Sequence, residues 1–323
     1  MKVIVTGAGA LLGQGILRSL ADIRPEVELV AVDPSPLSAG LYWAKGRALI
    51  PFANDPSYVG RIEALLDEHR PHALIPGTDV ELSIFAKHRA AWEERFRTHV
   101  VVCSPEVVAI ADDKYLTFQF MRKAGFDAPE SCLPGEEEAL IAKVGFPLIV
   151  KPRIGARSVG VNVARDRAEL ARAIASVQGP VIQELIATDK HEYTAGAIVF
   201  DGECHATIVM RRDLRDGNTY RAFVEDHPAL RATVARMAEA LGAHGPVNFQ
   251  FRLDGDRVRV FEINARFSGT TPLRKLAGFN EVEMVLAHLV NGAPVIQPKI
   301  EPMTILRYWT EQVVRPDELV KAT

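Results

Sequence analysis

The segment from Asn248 to Arg266 restricts what this chain can fold into more than any other. Asn248-Phe-Gln-Phe-Arg-Leu253 and the run from Arg257 to Arg266 flank a turn at Asp254-Gly255-Asp256, a pattern that reads as an antiparallel β-hairpin. With the turn centred on Gly255, the period of two places Asn248, Gln250, Glu262 and Asn264 on one face. Phe249, Phe251, Phe261 and Ile263 then share the other, which reads as core. A half-exposed antiparallel pair also carries a polar outer face. Here a carboxylate, two amides and Arg266 line up in register, so the face reads as a site. Magnesium takes oxygen donors, binds few protein groups and completes its shell with water and phosphate oxygens, a demand that Gln250, Glu262 and Asn264 meet and that manganese shares.

The start of the chain calls for a different kind of sheet. Val3 to Thr6 reads as a short buried strand, Gly7 to Gly13 as a glycine turn, Gln14 to Ala21 as a helix and Glu28 to Val32 as a second strand ending at Asp33. That is a βαβ unit of a parallel, Rossmann-like sheet. Gly7-Ala8-Gly9 with Gly13 opens a helix whose free N–H groups favour an anion, and Asp33 stands where a ribose hydroxyl could be held. A tight turn that needs glycine only for close packing explains the same residues, and the chain has no Tyr-x-x-x-Lys for a short-chain reductase or epimerase.

A parallel unit at one end and an antiparallel one at the other imply more than one layer system, and 323 residues are enough for two or three units. The expected organisation is an α/β domain over 1–110, a bridging helix over 111–125, a small α+β unit over 126–183 and a larger one over 184–323. The first contains a helix from Ser57 to His69, strands at Ala73 to Pro76 and Val100 to Cys103, and a helix after Thr78, where Thr78 and Glu81 fit a capping box. Asp112 or Asp113 caps the bridging helix, which stops at Gly125. The third unit shows strands at Leu148 to Lys151, Val159 to Ala164 and Val181 to Gln183 around one helix, Arg167 to Ser176. The last has strands at Tyr193 to Phe200, Cys204 to Arg211 and Val247 to Leu253, with helices at Ala229 to Leu241 and Val282 to Val290. The tail after Pro298 is too weakly patterned to assign.

Lys+Arg 38 against Asp+Glu 41 leaves a net charge of −3, without the positive field that concentrates nucleic acid or an acidic membrane. Cys103, Cys132 and Cys204 form no closely spaced pair and read as buried thiols in a reducing compartment. No window reaches the ~20 apolar residues of a membrane span, and the opening MKVIVTGAG leaves no room for a leader, so a cytoplasmic chain is expected.

Between the two ends lies an ordered set of groups suited to a nucleoside triphosphate. Lys114 on the bridging helix and Lys151 at the end of Phe-Pro-Leu-Ile-Val-Lys are two separate cations able to straddle a phosphate chain; a strand-end lysine reaching solvent is the plainer reading of Lys151. Gly155-Ala-Arg-Ser158-Val-Gly160 is a small-residue loop whose amides can fold over phosphates, although it is not a Walker loop. Glu184 and Leu185 lead into a stretch that can pass a planar base, and Glu192 offers a carboxylate to ribose hydroxyls; either glutamate alone also fits a surface charge. Arg266 continues the polar face and suits charge developing on a transferring phosphoryl group.

In order and spacing these motifs resemble the ATP-grasp superfamily, and within it one synthetase half of the large subunit of carbamoyl phosphate synthetase. Asn248-Phe-Gln-Phe and Phe261-Glu-Ile-Asn-Ala-Arg-Phe-Ser-Gly-Thr-Thr-Pro-Leu273 carry the likeness most closely. The resemblance implies a pre-ATP-grasp domain over 1–110, a lid over 126–183 and ATP held between the lid and the last unit. It implies Lys114 and Lys151 as phosphate contacts, Glu184 at the hinge, Glu192 at the ribose, and Gln250, Glu262 and Asn264 as metal ligands beside Arg266. One copy of this length cannot hold both synthetase halves. Ala265 replaces the usual proline, and Lys114 resembles instead D-alanine–D-alanine ligases and related carboxylate–amine ligases.

The expected activity is therefore ATP-dependent joining of a small carboxylate to an amine or ammonia through an acyl phosphate, with ATP and magnesium as cofactors. Gly9, Asp79, Arg211, Arg212 and Ser268 are candidate substrate contacts, with Arg215 beside them. Competing expectations are phosphorylation of bicarbonate or carbamate, a nicotinamide-dependent reductase or epimerase, and a non-catalytic ATP-binding subunit. Neither nucleic acid nor membrane is an expected partner; a homodimer through apolar surface of the first domain is compatible with the pattern.

Overall fold

The computed structural model describes residues 1–21, 27–155, 159–186 and 192–321. Three sheets organise it. The first is parallel throughout, in the order β3-β2-β1-β4-β5. It is built from β1 (Lys2–Val5), α1 (Leu11–Ala21), β2 (Glu28–Asp33), β3 (Gly46–Leu49), α2 (Tyr58–His69), β4 (Ala73–Ile75), α3 (Leu82–Phe96) and β5 (His99–Val100). Strands buried on both faces read as apolar runs, as Val3, Ile4 and Val5 do. The chain moves from β1 to one side of the sheet and returns to the other at β4, so β1 and β4 flank the point where strand order reverses. Gly7 sits at φ +56°, and a Cβ on Gly13 would lie 2.1 Å from the Gly7 carbonyl oxygen. Close packing of turn on helix therefore accounts for these glycines.

The capping box at Thr78 is present: the Thr78 N–H donates to Glu81 Oε2 at 3.1 Å and the Thr78 hydroxyl at 2.7 Å. It starts a 3-10 turn over Asp79–Glu81 before α3 begins, instead of an α-helix directly. The strand expected over Val100 to Cys103 pairs only at His99–Val100, because β5 gives way to α4 (Pro105–Asp112). Ser104 caps α4 and Pro105 occupies its first turn, where proline loses no helical hydrogen bond. α5 (Lys114–Lys123) follows, capped by Asp113, whose Oδ1 accepts from Tyr115 N at 2.8 Å and Leu116 N at 3.2 Å. Gly125, at φ +79°, ends it.

The second sheet, β6-β9-β7-β8, comprises β6 (Ser131–Cys132), β7 (Leu148–Pro152), β8 (Asn162–Ala164) and β9 (Pro180–Glu184), with α6 (Glu137–Val144) and α7 (Arg167–Ser176). It carries two helices where the pattern predicts one; α6 is two turns long and buries only Leu140. β8 is shorter than the expected run from Val159: Val159 and Val161 are exposed and only Asn162–Ala164 joins the ladder. Leu140, Leu148, Val150, Leu170 and Ile182 form a core private to this unit.

The third sheet is antiparallel, in the order β14-β13-β10-β11-β12-β15. Its elements are β10 (Glu192–Phe200), β11 (Glu203–Arg215), β12 (Asn218–Val224), α8 (Pro228–Ala240), β13 (Gly245–Asp254), β14 (Arg257–Asn264), α9 (Thr271–Leu276), α10 (Glu281–Asn291) and β15 (Met303–Leu306). β15 lies in the tail that the sequence leaves unassigned and pairs with β12, a partner some 80 residues away that no local pattern reveals. Val32, Phe85 and Trp92 of the first unit share one apolar cluster with Phe249 and Phe251 of the third. Each fully buried phenylalanine there stabilises by roughly 1.5–3 kcal/mol, so these two sheets behave as one packed body.

Candidate functional site

The hairpin β13–β14 pairs Asn248 with Asn264, Phe249 with Ile263 and Gln250 with Glu262. Phe249, Phe251 and Ile263 are buried, so the polar set faces away from the core. Register shifts beyond Gln250, where Phe251 pairs with Val260 and leaves Phe261 as the extra residue of a bulge. Phe261 is therefore not a core residue as alternation predicts; its ring lies 5.8 Å from Lys151 Nζ, across from the second sheet. Gln250 Nε2 donates to Glu262 Oε1 at 3.2 Å, and Arg266 Nη2 donates to Asn264 Oδ1 at 2.8 Å. Arg266 also donates through Nε to Asp79 Oδ1 at 2.7 Å, tying the hairpin to the first unit. Asn248 is different: it is buried, accepts from Thr194 Oγ1 at 2.8 Å and from Arg274, and serves the interior.

Among the described residues no group of three or more His, Cys, Asp or Glu side chains could hold a metal. A cation at this face would meet the Glu262 carboxylate and, in place of the Arg212 and Arg266 donors that they now accept from, the amide oxygens of Gln250 and Asn264, a hard and sparse donor set that fits magnesium completed by phosphate oxygens and water. Asn264 Nδ2 is buried without a hydrogen-bond acceptor among the described residues, a donor suited to an anionic oxygen at the same place.

Lys151, 7 % exposed at the end of β7, donates to Gln183 Oε1 at 2.8 Å. Burial pulls its ammonium down to about 8, Lys114 pulls the same way, and Glu262 opposes them. The lysine thus belongs to the electrostatic neighbourhood of both Lys114 and the hairpin carboxylate, and is not the solvent-facing strand end of the plainer reading. Lys114 Nζ donates to the Gly155 carbonyl at 2.7 Å, and Arg153 pairs with the capping carboxylate of Asp113 at 2.5 Å. Gly155 and Gly160 flank residues 156–158, so Ser158 lies outside the described residues.

Glu184 Oε2 accepts from the Glu130 N–H at 3.0 Å and from Arg259, and Leu185 is half-buried beside it. Glu192 is buried in β10 between two guanidinium groups. Its Oε1 accepts from Arg212 at 3.2 and 2.8 Å, and its Oε2 from Arg252 at 3.1 and 2.9 Å. Ribose hydroxyls at Glu192 would have to replace these N–H donors. Arg212 reaches on to Gln250 Oε1 at 2.5 Å, so it bridges Glu192 to the hairpin face.

Of the candidate substrate contacts, Asp79 and Arg212 are therefore drawn to the hairpin. Arg211, one residue out of phase on β11, packs its guanidinium 3.7 Å from the Phe223 ring centre on the other side, and Arg215 lies over Tyr220. Ser268 Oγ is buried 2.8 Å from Thr270 Oγ1. The Gly9 N–H donates to Asp33 Oδ2 at 2.6 Å, and Asp33 Oδ1 accepts from Ser38 Oγ at 2.6 Å and from Ser35 N at 3.0 Å. Asp33 thus closes its own loop, occupying the amide that the sequence reading offers to an anion.

Two family descriptions match the chain, a RimK-like ATP-grasp domain over residues 111–237 and an ATP-grasp of the biosynthetic pathway with Ter operon over residues 181–312. The chain carries an ATP-grasp domain. It is similar to the carbamoyl phosphate synthase large chain of Streptomyces coelicolor, 27% identical over 220 residues covering 62% of this chain and 20% of that protein. It is also similar to the N-terminal section of that large chain in Methanopyrus kandleri, 25% identical over 330 residues covering 90% of this chain and 57% of the relative. The chain thus spans a fifth of the first relative's length and little more than half of the second's. Among solved structures, N5-carboxyaminoimidazole synthetase from Staphylococcus aureus complexed with ADP superposes with a TM-score of 0.76 at 13% identity, covering 95% of this chain and 82% of that one.

The ATP-grasp domain also recruits residues that the sequence reading passes over. Arg252 shares the parity of Asn248 and Gln250 on β13, a signal that alternation contains. Gln183 sits beside Glu184 on β9. Arg259 and Arg274 give no local signal: the first reaches Glu184 from β14, and the second, wholly buried, pairs with Glu281 at 2.9 Å and touches Thr194 and Asn248. Asp112, at the exposed end of α4, has its carboxyl pushed up by partial desolvation and by the nearby Asp79 charge. Among the described residues no helix is long and apolar enough to cross a membrane.

Proposed function

We propose that the chain is an ATP-dependent carboxylate–amine ligase acting through an acyl phosphate. The observation that carries this reading is the meeting of Lys151 with the hairpin: a buried lysine of the second sheet whose Nζ lies 5.8 Å from the ring of Phe261, the neighbour of Glu262 on the strand that also bears Asn264 and leads to Arg266. Cations on one wall and hard oxygen donors on the other suit a magnesium–triphosphate complex. Gln250, Glu262 and Asn264 would hold the metal, which offsets charge on the phosphates. Lys151 and Lys114 orient the phosphate chain, and Arg266, kept in place by Asp79 and Asn264, neutralises charge that develops on the transferring group. A carboxylate oxygen attacks the γ-phosphorus, the bond to the bridging oxygen breaks and ADP leaves; an amine then displaces phosphate from the acyl carbon. No protein nucleophile is required, and the protein contributes position and electrostatics. Similarity to carbamoyl phosphate synthase supports a second reading, in which bicarbonate or carbamate is the phosphoryl acceptor.

The test supplies purified protein and Mg·ATP with a panel of acids and amines and follows ADP release. The expected result is release that needs both an acid and an amine and falls about 100-fold or more in Glu262→Gln, whose fold is checked by circular dichroism. Release driven by bicarbonate without an organic acid would select the second reading. No release with any pair, together with unchanged nucleotide affinity in Glu262→Gln, would refute both.

A further inference from the structure

A buried ion pair reaches the hairpin face from the interior. Arg274 of α9, wholly buried, donates through Nη1 to both carboxylate oxygens of Glu281, at 3.0 and 2.9 Å. Through Nη2 it donates to Thr194 Oγ1 at 3.3 Å and to Asn248 Oδ1. β10 makes room for the pair: a Cβ on Gly196 would lie 2.4 Å from Arg274 Nη1 and 2.8 Å from Glu281 Oε2. Glycine in the middle of a fully buried strand weakens it, so the close approach is bought with strand stability. Replacing such a pair by apolar residues of like volume is often neutral or stabilising, and stability alone therefore gives no reason to keep it.

Arg274 also dictates which way two amides face. A guanidinium only donates, so the atom turned towards it must be Asn248 Oδ1, and Nδ2 points elsewhere. Thr194 is fixed with it: its oxygen accepts from Arg274, and its hydroxyl proton goes to Asn248 Oδ1 at 2.8 Å. Across the ladder Asn248 is paired with Asn264, and directly opposed residues hold their Cβ atoms about 4.5–5.5 Å apart. Asn264 Oδ1 accepts from Arg266 Nη2 at 2.8 Å, which turns its Nδ2 away from that arginine. Asn248 Nδ2 and Asn264 Nδ2 are thus both buried without an acceptor among the described residues. Without Arg274 both would be satisfied by a half-turn of one amide: Asn248 Nδ2 would donate to Thr194 Oγ1, and Asn248 Oδ1 would accept from Asn264 Nδ2.

We propose that Arg274 is a positioning residue, holding Asn248 Oδ1 so that the amide nitrogen of Asn264 stays available to a phosphate oxygen of Mg·ATP. Glu281, itself held by Thr271, supplies the countercharge that keeps the guanidinium in the interior. The identity of the ligand rests on the ligase reading above, whereas the facing of the two amides follows from the donors and acceptors around them.

Arg274→Ala alone strands Glu281, so the test replaces both partners. Mg·ATP is titrated calorimetrically into wild type, into the Arg274→Met/Glu281→Leu double variant, and into that double variant carrying Asn248→Leu, each checked for folding by circular dichroism. The double variant keeps a filled interior but frees Asn248 to capture Asn264. It should bind Mg·ATP about tenfold more weakly, the scale of one hydrogen bond to a charged group. Adding Asn248→Leu removes the captor and should return the affinity to within about threefold of wild type. A double variant that binds like wild type, or a triple variant no tighter than the double, would overturn the proposal, since a merely structural role makes each further lesion neutral or worse. A second measurement needs no nucleotide: a cycle of Asn248→Leu and Asn264→Leu in urea unfolding. Coupling of about fivefold in the unfolding constant should appear in the double variant and be absent while Arg274 is present. Equal coupling in the two backgrounds would likewise overturn the proposal. Wild type that fails to bind Mg·ATP, with the coupling as expected, refutes the ligase reading and leaves the facing of the amides standing.

Discussion

Replacing Lys151 with methionine should make the protein more stable while ruining its nucleotide site. The lysine is paid for in folding stability, since burial, with Lys114 adding repulsion, draws its ammonium from 10.5 to about 8. That depression corresponds to about 3 kcal/mol carried by the folded state when the side chain is charged. The sign follows from proton binding. Between about pH 8 and 10.5 the unfolded chain holds the proton that the folded chain has lost, so stability rises as pH increases through that window, and below it the full cost is present. Lys151→Met removes the charge but leaves Gln183 Oε1 without its donor, a loss of about 1–2 kcal/mol. The net expectation at pH 7 is a gain of about 1–2 kcal/mol, together with Mg·ATP binding weakened about tenfold or more. Urea unfolding of both proteins at pH 7 and pH 10, followed by circular dichroism, reads the difference; taking wild type minus variant cancels every other titrating group. The gain should vanish or reverse by pH 10. A variant less stable than wild type at pH 7, or a difference that does not change with pH, would refute the argument that a buried charge is held there for binding at a cost in stability.

Two further expectations concern packing. Arg274→Ala leaves Glu281, 1% exposed, as a buried charge without its partner, and should cost about 3–5 kcal/mol in thermal unfolding, most of it recovered by combining Arg274→Met with Glu281→Leu. Gly13→Ala pushes a Cβ to 2.1 Å from the Gly7 carbonyl oxygen and should destabilise by about 1–3 kcal/mol, whereas Gly60→Ala in α2, with nothing within 4 Å, should stabilise by about 0.5–1 kcal/mol. Equal effects at the two glycines would show that close approach does not govern the first.

The hairpin face was readable in advance because a strand's period of two is local: once the turn at Gly255 is placed, Gln250, Glu262 and Asn264 must share a side. The same rule failed at Phe261, since a bulge adds one residue and reverses parity beyond it, and nothing in the local pattern announces the bulge. The capping box at Thr78 and Glu81 was likewise local and is present. α6 was missed because two turns with a single buried leucine leave almost no periodic trace.

Side-chain partnerships show the other limit. Glu192 stands out as a carboxylate near a strand start, yet its partners come from β11 and β13, 20 and 60 residues away. Arg212 and Arg211 are neighbours in the chain, but strand alternation sends one to Glu192 and the other to Phe223.

Residue order alone determined which elements exist and which side chains share a face, because backbone geometry repeats over two or four residues and stamps that period on the apolar pattern. Tertiary structure decided which faces meet: that Lys151 of the second sheet stands over Phe261 of the hairpin, and that Arg266 crosses to Asp79. Those encounters depend on sheet order and on packing between distant segments, for which contiguous sequence carries no periodic signal.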